Sequence, residues 1–306
     1  PRTGAGPGPA RLTFPADPAD RSGVAPDPAD PSGLTSVCLA LGPYRNLTTL
    51  TAGILALHPR CQVLNHAGVR LLPDPDRNFL AAYTPARMAA FLREALELSA
   101  GGERGQRGGS ITKSHAFDAE HPLGRLYRAR YGGELAKSEP TCLFWKESLH
   151  TSNFLRRRRV DVGALLAADR RLRFLMPVRR PLDCALSNVK TEHTRYFEDL
   201  PTGAGVPEVL DAVLDHLRWT ADLAAAHPDR VFLFTERRFD RDALLALARF
   251  LELEPEPRWL ADALAAYRLT PGYAHPPEHV ALYERLVRDR FAAHPALQVE
   301  LLELAA

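Results

Sequence analysis

Long apolar runs are missing from this sequence of 306 residues. A helix that crosses a bilayer needs about 20 consecutive apolar residues, and no stretch approaches that length. The first residues are rich in Pro, Gly and Asp instead of a basic stub followed by an apolar stretch, so we expect no secretory signal. The sequence begins at Pro1 and not at Met, which suggests a domain cut from a longer protein. We expect a cytoplasmic protein without a membrane span.

Cysteine is scarce too. The four cysteines, Cys38, Cys61, Cys142 and Cys184, are scattered along the chain and form no CxxC pair. This spacing argues against a disulfide framework and against a zinc site, and it favours a reducing compartment.

The sequence also lacks a marked excess of either charge, since 39 Lys and Arg face 37 Asp and Glu. No overall field therefore favours nucleic acid or a membrane surface. The heavy use of Ala, Arg and Pro is typical of a GC-rich bacterial genome. One local concentration is the run from Arg156 to Arg159, which we interpret as a solvated helix face, with an acidic-acceptor patch as the alternative. Nucleic-acid binding through this run is disfavoured because aromatic residues are not interleaved with the charges.

The sequence divides into two regions that differ in composition and in the pattern of apolar residues. Residues 1–33 hold most of the low complexity, including PADPAD and PDPADPSG, and have too little apolar surface to offset the entropy of ordering. We predict a disordered tail or linker there. Residues 34–306 alternate short apolar runs with helical periodicity, which predicts one α/β domain of three layers, a central parallel sheet flanked by helices.

The elements of this domain can be placed along the chain. We predict strands over residues 35–41, 61–65, 173–178 and 231–235, with a short one around Ile111. Helices are predicted over 48–57, from Thr84-Pro85, from Pro181, through 209–217 and after Asp240, with two more to close the chain.

The first candidate site is the strand-to-helix turn from Gly42 to Thr49. A cation, Arg45, and two hydroxyls, Thr48 and Thr49, stand where a helix begins, and such an arrangement makes an anion cradle with the backbone N–H groups. The alternative is a capped helix start with a solvated Arg. A nucleotide-triphosphate loop needs G-x-x-x-x-G-K-[ST], and both the second Gly and the Lys are missing here.

A second candidate site joins Arg179, at the end of a predicted strand, to Ser187 about two helical turns later. A guanidinium and a hydroxyl at one pocket mouth suit a phosphate monoester. The alternative is an Arg paired with a carboxylate such as Asp183.

A third candidate is the segment Ile111 to His115. Lys113 and His115 alternate on the predicted strand and would share one face, which could look into a crevice at the strand's carboxyl end. For any single histidine, a surface position or a satisfied core position is the commoner outcome.

In this order and spacing the segments resemble the PAPS-dependent sulfotransferase family in its bacterial-type branch, where PAPS is 3'-phosphoadenosine 5'-phosphosulfate. The turn resembles the 5'-phosphosulfate loop (YPKSGTTW or GPPRSGTT), the second segment the 3'-phosphate motif RxPxDxxxS, and Lys113-Ser114-His115 the KTH segment. Residues 144–148 and the unit VFLFTERRF followed by ALLALARFLEL are similar to later family segments. The likeness spans about residues 35–255.

The resemblance implies a P-loop NTPase-like sulfotransferase fold and assigns roles residue by residue. It implies donor binding by Arg45, Asn46, Leu47, Thr48, Thr49, Arg179 and Ser187. It implies His115 as catalytic base, with Arg45, Lys113 and Lys146 stabilising the transferred group. Leu47 stands where the family has Gly, so that position would be strained if its backbone needs a positive φ.

The reaction that the resemblance implies is in-line transfer of a sulfuryl group from PAPS to a hydroxyl of a small molecule or carbohydrate, with 3'-phosphoadenosine 5'-phosphate (PAP) as product and no metal. Its acceptor walls are expected in the loops at 65–76, 117–130 and 192–206. Two alternatives stay open: a P-loop-type small-molecule kinase, and a catalytically degenerate nucleotide-binding protein on the same fold.

Overall fold

The computed structural model describes residues 33–198, 200–269 and 272–305. All of the predicted tail except residue 33 lies outside the described residues, so the predicted boundary at residue 34 stays a prediction.

Six strands form one sheet in the order β3-β2-β4-β1-β5-β6. The strands are β1 (Ser36–Ala40), β2 (Cys61–Asn65), β3 (Gly109–Ser110), β4 (Cys142–Lys146), β5 (Leu172–Val178) and β6 (Val231–Thr235). Neighbouring strands are parallel except at the β2–β3 edge, where β3 runs antiparallel. The sheet is therefore mixed, although its five-stranded core is parallel as predicted.

Twelve α-helices lie in the described part of the chain. They are α1 (Thr48–Ala56), α2 (Gly68–Leu71), α3 (Pro85–Ser99), α4 (Pro122–Tyr131), α5 (Ser148–Arg157), α6 (Val162–Ala168), α7 (Pro181–Lys190), α8 (Val206–Ala226), α9 (Arg241–Phe250), α10 (Pro257–Ala266), α11 (Pro277–Arg290) and α12 (Pro295–Glu303). None of them is long and apolar enough to cross a membrane. Three helices follow α9 instead of the predicted two.

The sheet separates two apolar cores because successive strand side chains point to opposite faces. On β1, Val37 and Leu39 join the core formed with α3, α5, α7, α8 and α11, whereas Cys38 and Ala40 join the core formed with α1, α4, α9 and α10. The predicted three-layer α/β fold is confirmed. All four cysteines are buried and unbridged.

The parallel core brings the ends of β1, β2, β4, β5 and β6 to one edge of the sheet. From β1 the chain first crosses to β2 on one side and later reaches β5 on the other, so β1 is the point where the strand order reverses. Ligands of open α/β sheets bind at that point, outside the carboxyl ends of the strands. The turn from residue 41 to residue 47 lies there and leads into α1, as expected for a P-loop-like fold.

Candidate functional site

The turn between β1 and α1 contains three left-handed residues. Gly42 has φ 96°, and Arg45 and Leu47 both have φ 61°. A left-handed conformation costs a residue with a Cβ roughly 1–2 kcal/mol, a cost that glycine avoids. The condition stated for Leu47 is therefore met, because this position does need a positive φ. The turn persists because it is anchored, with the Gly42 N–H donating to Ser152 Oγ at 2.8 Å.

Leu47→Gly should consequently change stability little, because relief of the backbone strain offsets the loss of a half-buried side chain. Leu50→Gly is the matched control, since Leu50 is also half-buried but lies within α1. There glycine costs about 1 kcal/mol of helix propensity in addition to the lost packing. Urea unfolding should show Leu50→Gly to be the less stable variant by at least about 1 kcal/mol. Equal losses in the two variants would contradict a strained Leu47.

Asn46 has a structural role. Its amide Nδ2 donates to the Pro177 carbonyl at 2.5 Å, and its Oδ1 accepts from the Arg179 N–H at 2.8 Å. The side chain is 2% exposed. It therefore joins the turn to the end of β5 and does not present its amide to a ligand, unlike the donor-binding role that the resemblance implies.

Arg45 and Ser187 bring the first two candidate sites together. The Arg45 Nε donates to Ser187 Oγ at 2.9 Å, although 142 residues separate them. Ser187 is buried on α7, whereas Arg45 is exposed. Thr48 and Thr49 open α1 beside them, the first buried and the second half-buried. A guanidinium, a buried hydroxyl and a helix N-terminus at one place form an anion-binding arrangement.

Arg179 takes the carboxylate partner that the alternative interpretation named. Its guanidinium lies 3.6 Å from Asp183 Oδ2 and also faces the ring of Tyr273 at 5.7 Å. Asp183 accepts from His275 Nε2 at 2.7 Å and from the Tyr273 N–H at 3.2 Å. The ring of Tyr273, which Arg179 faces, also lies 4.3 Å from the ammonium of Lys190. The sequence analysis missed Lys190. A phosphate at Arg179 would thus have to share it with Asp183.

Lys146 lies at the end of β4 and is 6% exposed. Its Nζ is 3.4 Å from His66 Nε2. Burial lowers the pKa of Lys146 to about 8, with the Arg45 charge acting in the same direction and Glu147 opposing it. The ammonium is thus mostly protonated at pH 7 but poorly solvated, so it interacts strongly with any anion that reaches it.

Glu147, the next residue, is fully buried and surrounded by donors. Its carboxylate accepts from Tyr44 Oη at 3.2 Å and from the Gly68 N–H at 2.9 Å. The Nδ1 atoms of His150 and His66 lie 3.4 and 3.7 Å away. Burial acts to raise the pKa of this carboxyl, but the two histidines and the Gly68 N–H outweigh burial and hold it below its usual value. Glu147 is therefore an ionised anchor, not a base.

The segment around His115 is not a strand. Residues Ile111–Lys113 and His115–Phe117 form two 3₁₀ turns after the short β3, and the Ser110 hydroxyl accepts from the Thr112 N–H. Lys113 and His115 hence do not share a strand face as predicted. The Lys113 ammonium donates to the Gly102 carbonyl in the Gly/Arg-rich loop.

His115 is exposed by area but partly desolvated by its neighbours. This desolvation, followed by the charges of Arg45 and Lys146, lowers its pKa. His115 is therefore within electrostatic range of Arg45 and Lys146, and its role as a base stays a prediction.

Two histidines of this region were missed. His66, at φ 62° after β2, links Lys146 to Glu147, and His193 packs against Tyr44 with ring centroids 5.6 Å apart. Burial and the charges of Arg45, Arg195 and Lys146 lower the pKa of His193. The segment 192–206 had been predicted as an acceptor loop, which is the only sequence signal that pointed toward His193.

A cleft of about 520 Å³ lies beside this group and adjoins a second cleft of about 760 Å³. The smaller is lined by Gly68 and His150, which both contact Glu147, and the two clefts share Phe154 and Arg158. The four consecutive arginines have different contacts. Arg156 pairs with Asp215, and Arg157 pairs with Glu198. Arg158 lines both clefts. In the described ranges no group of three or more His, Cys, Asp or Glu residues could hold a metal ion.

Comparison with known proteins gives matches in structure only. No protein-family model matches the sequence, and no curated protein matches it. Mouse sulfotransferase SULT7A1 complexed with PAP aligns over 90% of this chain and 90% of that chain, with a TM-score of 0.42 and 12% identity. Retinol dehydratase in complex with androsterone and inactive cofactor PAP aligns over 84% of this chain and 80% of that chain, with a TM-score of 0.40 and 12% identity.

A third solved structure is sulfotransferase STF9 from Mycobacterium avium, which aligns over 85% of this chain and 76% of that chain, with a TM-score of 0.41 and 14% identity. Two of the three proteins are thus named as sulfotransferases, the family that the sequence motifs resemble. At TM-scores below 0.5 and at most 14% identity, this likeness does not by itself establish the family of the chain.

Proposed function

We propose that this protein is a PAPS-dependent sulfotransferase acting on a hydroxyl of a small molecule or carbohydrate. The observation that carries the proposal is the hydrogen bond between Arg45 and Ser187. It joins the segment that resembles a 5'-phosphosulfate loop to the segment that resembles a 3'-phosphate motif. The charge of Arg45 acts on both Lys146 and His115, so these two side chains are neighbours of the same guanidinium.

The donor would be held at its two phosphate ends. Arg45, Thr48 and Thr49, with the N-terminus of α1, would bind the 5'-phosphosulfate. Ser187 and Arg179 would bind the 3'-phosphate, and the exposed ammonium of Lys190 would add a second positive charge one turn after Ser187 on α7. Binding requires two exchanges, because Arg45 must release Ser187 and Arg179 must loosen from Asp183.

Lys146 would stabilise the transferring group. Sulfuryl transfer passes through a loose transition state in which charge spreads to the departing phosphate oxygen, as in phosphoryl transfer. A protonated, desolvated ammonium acts on that charge far more strongly than a solvated one. With Arg45 it supplies the positive charge that a metal ion would otherwise provide. The resemblance assigns the acceptor's proton to His115, whose lowered pKa keeps it neutral at pH 7.

A second candidate function, donor binding without turnover, is favoured by two observations. Arg179 already has a carboxylate partner, and Leu47 occupies a left-handed position. A degenerate member would bind PAP but transfer nothing. The kinase alternative gains no such support, since the ends of β5 and β6 carry Arg179 and Glu236, and the Glu236 carboxylate is engaged by the Arg180 N–H at 2.9 Å.

Calorimetric titration with PAP, with 5'-AMP as the matched ligand, tests the donor site. Two charge-assisted contacts to the 3'-phosphate, each worth about 1.5–3 kcal/mol, predict a preference for PAP of at least about 100-fold. Ser187→Ala should reduce this preference for PAP over 5'-AMP. Equal affinity for the two nucleotides would remove the assignment of Arg179 and Ser187 and the donor with it.

A further inference from the structure

His193 is held by a hydrogen-bond chain that starts on α7. The Thr191 hydroxyl lies 2.7 Å from the Ser187 carbonyl and 2.5 Å from His193 Nδ1. A carbonyl only accepts, so the hydroxyl must donate its single proton to Ser187 and accept from His193. Nδ1 therefore carries the proton, and in the neutral ring the lone pair is on Nε2.

The ring of His193 lies among cationic and titratable side chains. The ring packs edge-on against Tyr44, whose backbone precedes Arg45, and lies 5.8 Å from the Tyr196 ring. The charged or titratable groups around it are Arg45, Lys146, His66 and Arg195. With burial, which is the largest effect, they lower the pKa of His193, so the ring is neutral at pH 7. Within the described residues Nε2 has no hydrogen-bond partner.

His115 differs from His193 in positioning. It meets the same charges of Arg45 and Lys146, but no side chain or carbonyl of the described chain hydrogen-bonds to its ring. Nothing there fixes its tautomer or its orientation. A general base needs both a suitable pKa and a lone pair held toward the proton that it takes. Of these two described imidazoles, only His193 meets both conditions.

We propose that His193 is the general base of the transfer, with Thr191 as the positioning residue that fixes its tautomer. The proposal rests on the proposed function. The acceptor's O–H bond breaks and its proton moves to His193 Nε2 while the acceptor oxygen bonds to sulfur. The bond from sulfur to the bridging oxygen breaks, and its electron pair leaves on the 5'-phosphate of PAP. The imidazolium then returns the proton to solvent.

The tautomer can be measured without knowing the acceptor. In protein labelled with ¹⁵N-histidine, the His193 signal, identified by its absence in His193→Gln, should show the Nδ1–H tautomer and titrate below the usual value of about 6.5. Thr191→Val should allow the other tautomer to form, and Thr191→Ser should restore the first. An Nε2–H tautomer in the wild-type protein would overturn the proposal.

The activity test compares the two imidazoles with an acceptor that the wild-type protein sulfates. His193→Gln should lower kcat by about 10²- to 10⁴-fold and abolish the fall of activity on the acidic side, while PAP affinity stays unchanged. His115→Gln should keep this decrease of activity at acidic pH, the acidic limb of the pH–activity profile. Loss of the limb in His115→Gln and its retention in His193→Gln would overturn the proposal. Failure of the wild-type protein to bind PAP would instead show that the proposed function is wrong, whatever the tautomer.

Discussion

Replacement of Arg45 by Met is expected to weaken PAP binding by at least about 100-fold, which corresponds to two charge-assisted contacts of about 1.5–3 kcal/mol each. Arg45 interacts with several of the other residues proposed for the site. Its guanidinium bonds to Ser187, and its charge lowers the pKa values of Lys146, His115 and His193. Removing it takes away a phosphate ligand and lets those pKa values rise.

Two further variants make the Arg45 result specific. Arg45→Lys keeps the charge but loses the planar fork, so its affinity should fall between those of the wild type and Arg45→Met. Arg104→Met is the matched control, because Arg104 is exposed in the Gly/Arg-rich loop and, within the described residues, no hydrogen bond or ion pair joins it to Arg45, Ser187 or Lys146. Its affinity for PAP should be unchanged. Arg45→Met with the affinity of the wild type would mean that the turn does not bind the donor.

Replacement of Glu147 by Leu is expected to lower the free energy of unfolding by about 3–5 kcal/mol, because the substitution leaves buried donors without an acceptor. The Tyr44 hydroxyl and the Gly68 N–H lose their acceptor, and His66 and His150 lose the carboxylate that their Nδ1 atoms face. Glu147→Gln keeps the shape and one acceptor, so its loss should be smaller. Glu139→Gln, in the exposed pair with Arg60, is the control and should cost less than about 1 kcal/mol.

The pH dependence of this stabilisation has a definite sign. The folded pKa of Glu147 lies below its unfolded value, so the carboxylate stabilises the fold above about pH 4.3, its ordinary value. That stabilisation is lost as the pH falls through the folded pKa. Urea unfolding of wild type and Glu147→Gln should therefore show a gap that is constant near neutrality and narrows below pH 4. A gap that widens on acidification would contradict an ionised Glu147.

The sequence predicted those parts of the fold that local patterns specify. The β1–turn–α1 unit, the Thr84 cap and the start of α7 at Pro181 follow from apolar runs and capping chemistry, and each is confirmed. The short strand predicted around Ile111 is present as β3 but ends at Ser110, before Lys113 and His115, because the Ser110 hydroxyl accepts from the Thr112 N–H and favours a 3₁₀ turn. Strand β4 was missed, since its short apolar run carries no periodic signal.

The sequence predicted the cationic residues of the site. It did not predict which hydrogen-bond and ion-pair partners these and neighbouring residues have within the protein. That Arg179 would pair with Asp183 could be stated as an alternative, since the two are four residues apart at a helix start. Asn46 could not be separated from a ligand-binding residue, because its partners Pro177 and Arg179 lie more than 130 residues away. The same holds for His66 and Glu147, which only the sheet order brings together.

The most direct test of the central claim is a transfer measurement with PAPS carrying ³⁵S in its sulfuryl group, offered with a panel of phenols, sterols and sugars. The account predicts label in a hydroxyl acceptor, insensitivity to EDTA, and loss of transfer in Arg45→Met but not in Arg104→Met. No label in any acceptor, together with Mg²⁺-dependent transfer of the γ-phosphate from ATP to the same panel, would contradict it and favour the kinase alternative.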